Sequence, residues 1–148
     1  MTECTLIIVR GSPGSGKTTF AKAIQQKYGF KHFETDMFEN LYCENHINKD
    51  LLAAAHRWCQ QTVRHHLSHG CSTIVSNTFT KLWEMKPYLD MALNYNTRVL
   101  VYHMQNQFES IHNVPEFVVE RMANTYQPHE LDYAVTQENA HETIAAIC

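Results

Sequence analysis

Eight consecutive residues, Gly11, Ser12, Pro13, Gly14, Ser15, Gly16, Lys17 and Thr18, fit the pattern G-x-x-x-x-G-K-[ST]. The chemistry such a segment supports is the capture of nucleoside triphosphate phosphates. Its glycines let the backbone wrap so that successive N–H groups point at phosphate oxygens. A helix that starts where the loop ends aims its positive end at the same anion. Lys17 is then expected to reach the β- and γ-phosphates and the Thr18 hydroxyl to bind Mg²⁺, with Thr19 as a further candidate nucleotide contact. Guanine selectivity would normally show N-K-x-D, a spacing that the Asn48-Lys49-Asp50 run lacks. ATP is therefore the expected nucleotide.

Phosphoryl transfer also needs a group that orients or deprotonates the acceptor, a metal, and positive charge on the migrating phosphoryl. Asp36 lies just past a second apolar run, where its carboxylate could take a hydroxyl proton or touch Mg²⁺ through water. A helix N-cap is its other reading. Asn77 ends a third strand, at a place where many phosphate-loop proteins carry an Asp for the metal shell. It could hydrogen-bond a water or a substrate, or serve strand-end turn chemistry. His65 and His69 stand four apart, a spacing that can bind metal. With no third ligand in view they read as solvated residues near a helix end, and His46 and His112 as loop residues.

These residues need elements to hold them. Thr5 to Val9 is a β-branched, apolar run that reads as a buried strand. Phe20, Ala23, Ile24 and Tyr28 then fall at helical spacing, with Gly29 as a stop. Phe30 to Phe33 reads as a second strand, and residues 37–49 as a loop with a broken helical turn. Asn48 to His69 is the longest helical pattern, with Gly70 as its cap. Thr73 to Ser76 is a third strand, followed by a helix over 84–93 in which Pro87 must fall in the first turn. Arg98 to His103 is a fourth strand. A helix over 115–126, an edge strand over 133–136 and a terminal helix from about 138 complete the chain. Such alternation predicts parallel strands joined by crossovers, an α/β sandwich with ligands beyond the carboxyl ends of the strands.

The 148 residues suit one domain spanning 1–148. Hydrophobic residues make up 44% and charged residues 18%, a globular balance rather than a disordered one. A net charge of −3 gives no general attraction for a polyanion, so a nucleic-acid substrate would need a local basic groove. The first apolar run is too short to span a membrane, and Glu3 sits where a signal peptide carries positive charge. Five scattered cysteines without a C-x-x-C pair fit reduced thiols in a cytoplasm. The expectation is a soluble cytoplasmic protein.

Longer segments add a resemblance: GSPGSGKTTFAKAI at 11–24, GFKHFETD at 29–36, AHRWCQ at 55–60, IVSNT at 74–78, WEMKPYLDMAL at 83–93 and VPEFVVERM at 114–122. Over most of its length the chain resembles the polynucleotide kinase-like P-loop proteins, an AAA-type ATP-binding family. That family includes the kinase domain of bacteriophage polynucleotide kinase and a eukaryotic group named for binding a HECT ubiquitin ligase, and WEMKPY points to the latter. The resemblance implies a three-layer P-loop sandwich around five parallel strands. It also implies ATP-dependent transfer to a hydroxyl, on a polynucleotide 5′ end or a small metabolite. It carries over Lys17 and Thr18 as phosphate and Mg²⁺ ligands and Asp36 as general base.

The chain departs from the phage enzyme at three places. Glu39 stands where that enzyme has Arg, Asn77 where it has Asp, and the lid stretch from Gln105 to Val114 contains no Arg or Lys. An arginine on the transferring phosphoryl is worth about 10³–10⁵ in rate, so another cation is needed. Arg121 is the nearest candidate, with Arg10 and Arg57 further afield. Two readings follow: a kinase using Lys17, Asp36 and Arg121, or a nucleotide-binding switch or adaptor with weak ATPase activity and no acceptor.

Overall fold

All six residues of the first strand, β1 (Thr5–Arg10), are buried, and a strand with no solvent face belongs at the centre of a sheet. The computed structural model describes residues 3–38, 41–43, 46–105, 117, 121 and 125–148. After β1 come α1 (Lys17–Tyr28), β2 (Lys31–Phe33), a 3-10 turn (Thr35–Met37) and the short strands β3 (Tyr42–Cys43) and β4 (His46–Ile47). They are followed by α2 (Lys49–Ser68), β5 (Thr73–Asn77), α3 (Leu82–Asn94), β6 (Arg98–Met104), β7 (Asp132–Val135) and α4 (Ala140–Ala145). The main sheet has the order β2-β5-β1-β6-β7, and every pairing in it is parallel. The expected five-stranded parallel α/β sandwich is the observed fold, with β1 in the middle and β7 at an edge.

Side chains alternate across the sheet with the period of two that strands impose. Leu6, Ile8, Val75 and Val101 pack with Cys59, Val63, Leu67, Met85, Tyr88 and Met91 of α2 and α3. Ile7, Val9, Ile74 and Tyr102 pack on the opposite face with Phe20, Ala21 and Ile24 of α1. Leu6, Ile7, Ile8 and Val9 are fully buried, each stabilising the fold by about 1.5–3 kcal/mol relative to exposure. The loop leaving β1 is thereby anchored to the fully buried central strand of the sheet.

Local chemistry explains most element ends. Gly29 adopts φ 77 and stops α1, its N–H donating to the Gln25 carbonyl. The Asn48 side chain accepts from the Asp50 N–H and caps α2. Two expectations need correction. Among the described residues of 37–49 that precede α2, the helical piece is the end of the 3-10 turn at Met37, and β3 and β4 pair antiparallel. Helix α3 starts at Leu82 rather than near 84, so Pro87 falls beyond its first turn. The earlier start is secured by the Lys81 N–H on the Glu84 carboxylate and the Leu82 N–H on the Gln127 amide oxygen, both at 2.8 Å. Pro87 then leaves the Trp83 carbonyl without its usual helical donor. Glu39, His112, residues 106–114 of the lid stretch and most of the helix expected over 115–126 lie outside the described residues.

Candidate functional site

The chain leaves β1 at Arg10 and turns at once, with the Gly11 N–H donating to the Thr78 carbonyl at 3.3 Å. Gly11 has no room for a side chain: a Cβ there would lie 2.5 Å from Ser15 Oγ and 3.0 Å from Met104 Cβ. The Ser15 N–H closes a turn onto the Ser12 carbonyl at 3.1 Å. Gly16, at φ 90, makes the left-handed step into α1. Within this loop Ser15 Oγ is buried and has no hydrogen-bond partner among the described residues. A buried hydroxyl without a partner costs free energy. In a loop that leads into the N-terminus of α1, a phosphate oxygen is a partner that fits it.

Lys17 and Thr18 open α1. The Lys17 ammonium donates to the Ser12 carbonyl at 3.1 Å. Burial holds it below the ordinary lysine pKa, opposed by the negative charges of Asp36 and Glu34. The Thr18 hydroxyl lies 3.3 and 3.1 Å from the two carboxylate oxygens of Glu34. Glu34 is only 8% exposed, and it also accepts from Ser76 Oγ at 3.2 Å. Burial pushes its carboxyl pKa up and Asp36 adds to the rise, while the Thr18 and Ser76 hydrogen bonds and Lys17 oppose it. A hydroxyl and a carboxylate side by side are hard oxygen donors of the kind Mg²⁺ takes, directly or through water. Thr18 and Glu34 therefore fit a Mg²⁺ ion.

Sequence reasoning missed Glu34. Its signal is the period of two: β2 pairs His32 with Ile74 and Phe33 with Val75. Continuing that register by one residue sets Glu34 beside Ser76, on the face that α1 covers.

Asp36 is exposed in the 3-10 turn immediately beyond, and its charge is felt by both Lys17 and Glu34. Asn77 turns away from the Thr18 face. Its amide oxygen accepts from the Thr35 N–H at 2.9 Å and the Thr35 hydroxyl at 3.0 Å, and its amide nitrogen lies 3.9 Å from Cys59 Sγ. Asn77 thus braces the residue before Asp36 and does not present itself to a water or a substrate.

The candidate cations separate. Arg10, an outside candidate for the phosphoryl group, is fully buried. Its guanidinium is committed to the Phe79 and Thr80 carbonyls and to Asp132, so it is a structural residue. Arg57 is exposed on α2. Arg121 is exposed, with its guanidinium 5.8 Å from the Phe117 ring. His65 and His69 are exposed with rings 4.5 Å apart. Among the described residues no group of three His, Cys, Asp or Glu is placed to hold a metal. No described helix is long and apolar enough to cross a membrane.

Comparison with known proteins agrees with this fold. The model of the AAA domain family matches residues 6–107, from β1 through β6 and slightly beyond. NEDD4-binding protein 2 of Homo sapiens is 27% identical over 133 residues, which make up 82% of this chain but 8% of that protein. An uncharacterized protein of Pasteurella multocida is 31% identical over 132 residues, 80% of this chain and 74% of the relative. The APS kinase CysC of Mycobacterium tuberculosis, solved with AMPPNP and APS, superimposes with a TM-score of 0.63 at 13% identity, covering 98% of each chain. A gluconokinase of Sinorhizobium meliloti superimposes with a TM-score of 0.63 at 15% identity, covering 98% of this chain and 90% of the other. At such identities what the structures share is the P-loop kinase fold.

Proposed function

The chain belongs to the AAA domain family, and on that premise we propose that it is a P-loop kinase moving the γ-phosphoryl group of ATP to a hydroxyl acceptor. The observation that carries this reading is the meeting of Lys17, the Thr18–Glu34 pair and Asp36 beyond the carboxyl ends of β1 and β2. The backbone of Gly11 to Thr18, with Thr19, holds the phosphates, and Lys17 neutralises charge on the β- and γ-groups. Mg²⁺, when bound at Thr18 with Glu34 behind it, supplies Lewis-acid stabilisation of that charge. Asp36 takes the acceptor's proton as the hydroxyl oxygen bonds to the γ-phosphorus. The bond from that phosphorus to the β–γ bridging oxygen breaks, leaving ADP and a phosphate monoester. Arg121 is assigned to the migrating phosphoryl in place of the missing lid arginines.

Two acceptor classes remain within this proposal. The resemblance carried by the WEMKPY segment and its neighbouring motifs supports a polynucleotide kinase-like group acting on a 5′-hydroxyl end. The net charge of −3 and the fold shared with kinases of small molecules support a metabolite. The free cysteines Cys4, Cys59, Cys71 and Cys148 support a cytoplasmic setting, and the continuous sheet supports one unit over 1–148.

The test is incubation with γ-labelled ATP and pooled acceptors. A labelled product is expected that disappears in Asp36→Ala and is strongly reduced in Arg121→Ala; full turnover by the latter would remove Arg121 from the mechanism. Slow phosphate release alone, unaffected by Asp36→Ala, would replace the kinase reading with the nucleotide-binding switch or adaptor. That second reading is favoured by the absence of Arg and Lys from Gln105 to Val114 and by the structural commitment of Arg10.

A further inference from the structure

We propose that His32 and Ser76 are positioning residues whose hydrogen bonds hold the Glu34 carboxylate against Thr18, building the oxygen shell of the Mg²⁺ site from β2 and β5. This rests on the nucleotide-binding reading above. Ser76 Oγ has one proton, and the geometry directs it to Glu34 Oε2 at 3.2 Å. The same oxygen lies 2.8 Å from His32 Nε2. With its only proton already given, Ser76 must accept at the second contact, so His32 carries its hydrogen on Nε2. The hydrogen bonds then run in one direction, from His32 to Ser76 to Glu34, and meet the Thr18 hydroxyl coming from the other side.

Water cannot replace these donors, because His32 is 6% exposed, Ser76 fully buried and Glu34 8% exposed. All three lie on the sheet face under α1, whose first turn carries Thr18. The carboxylate thus receives donors from two sides, which keeps it oriented despite burial. Partners of this kind, one bond removed from a metal's ligands, fix the orientation and basicity of the ligand they touch. The resulting arrangement needs no Asp at the end of β5: the carboxylate comes from the neighbouring strand, and β5 contributes the hydroxyl that steers it.

The experiment compares the wild-type chain with Ser76→Ala, His32→Leu and His32→Gln, using Mn²⁺ as a paramagnetic probe with saturating ADP. The affinity for ADP alone is measured separately in EDTA. Ser76→Ala and His32→Leu are expected to weaken Mn²⁺ binding about 10-fold or more, while ADP affinity in EDTA changes less than about twofold. His32→Gln, whose amide N–H can replace Nε2–H, should recover most of the metal affinity. Wild-type Mn²⁺ binding in both Ser76→Ala and His32→Leu would overturn the proposal, as would an equal loss of ADP affinity in EDTA, which would mean a collapsed loop. Should His32→Leu fail to fold, Ser76→Ala decides, since it removes a single atom. Failure of the wild-type protein to bind ADP would overturn the nucleotide reading itself, a result distinct from either of these.

Discussion

Arg10, the last residue of β1, and Asp132, the first of β7, form an ion pair of 3.1 Å across the intervening strand β6. The guanidinium is fully buried and the Asp132 side chain is 17% exposed. The Arg10 Nε and Nη2 atoms hold the carbonyl of Phe79, a non-glycine residue at φ 48. Its charge also lies 5.2 Å from the centre of the Tyr126 ring. Tyr126 donates to the Thr78 carbonyl at 2.6 Å, the same oxygen that accepts the Gly11 N–H. The first residue of the phosphate loop is therefore framed by β1, the segment after β5 and the segment before β7. The proposed function would need this frame, because a loop that binds phosphate through backbone N–H groups cannot correct its own position.

Removing one partner of a buried pair leaves the other charge uncompensated, at a cost of about 3–5 kcal/mol. Asp132→Ala is expected to lose stability on that scale in urea unfolding. Asp132→Asn, which retains an oxygen acceptor, should lose less. Replacing both residues with apolar ones of similar volume should restore much of the loss. A penalty below about 1 kcal/mol for Asp132→Ala would show that the pair behaves like an exposed one.

Lys17 should behave in the opposite way. Its folded pKa lies below its unfolded value because burial disfavours the ammonium more than Asp36 and Glu34 favour it. A group of this kind destabilises the fold wherever it is charged, and that cost is relieved only as pH rises through its folded pKa. Lys17→Met should therefore raise the melting temperature at neutral pH. In calorimetry the same variant should bind ATP at least about 10-fold more weakly, a loss of ~1.4 kcal/mol. A lower melting temperature would mean that the ammonium's contact with the Ser12 carbonyl outweighs its desolvation.

Much of this was legible in the residues themselves. The loop from Gly11 to Thr18 is a local signal, since each fixed residue answers a local need and the flanking strand and helix have clean periods. The five strands could be read for the same reason. The place of Pro87 was not legible because α3 starts early, helped by the Leu82 N–H donating to the amide oxygen of Gln127, 45 residues further along. The burial of Arg10 was invisible because its partners stand 69 and 122 positions along the chain. Glu34 was within reach of a period-two argument, but the neighbouring Asp36 matched a known pattern and drew the assignment.

Asn77 offers a test of how Asp36 is held. Asn77→Ala leaves the Thr35 N–H and hydroxyl without their buried acceptor, a cost of about 1–3 kcal/mol, and frees the turn that carries Asp36. In the labelled-product assay kcat should fall while ATP affinity stays near wild type, because the loop is untouched. Asn77→Asp retains the acceptor for Thr35 and should keep more activity than Asn77→Ala. Equal kcat for Asn77→Ala and wild type would remove Asn77 from any positioning role.

His32 predicts how the fold responds to acid. Its pKa is pushed down to about 4 from 6.5 by burial and then by the charge of Lys22. As pH falls from 6.5 toward 4, the unfolded chain takes up a proton that the folded His32 refuses, so the folded state loses stability across that window. Glu34 works against this. Its raised folded pKa means that the folded state accepts a proton earlier than the unfolded one, which stabilises it as pH falls. The net slope of the wild-type protein mixes the two, but the difference between wild type and His32→Gln isolates the histidine. Thermal melts at about pH 7 and about pH 4.5 should show His32→Gln losing less stability than wild type. Parallel losses in the two proteins would mean that His32 takes up its proton in the folded state as readily as in the unfolded one, and that its ring is not sealed beneath α1.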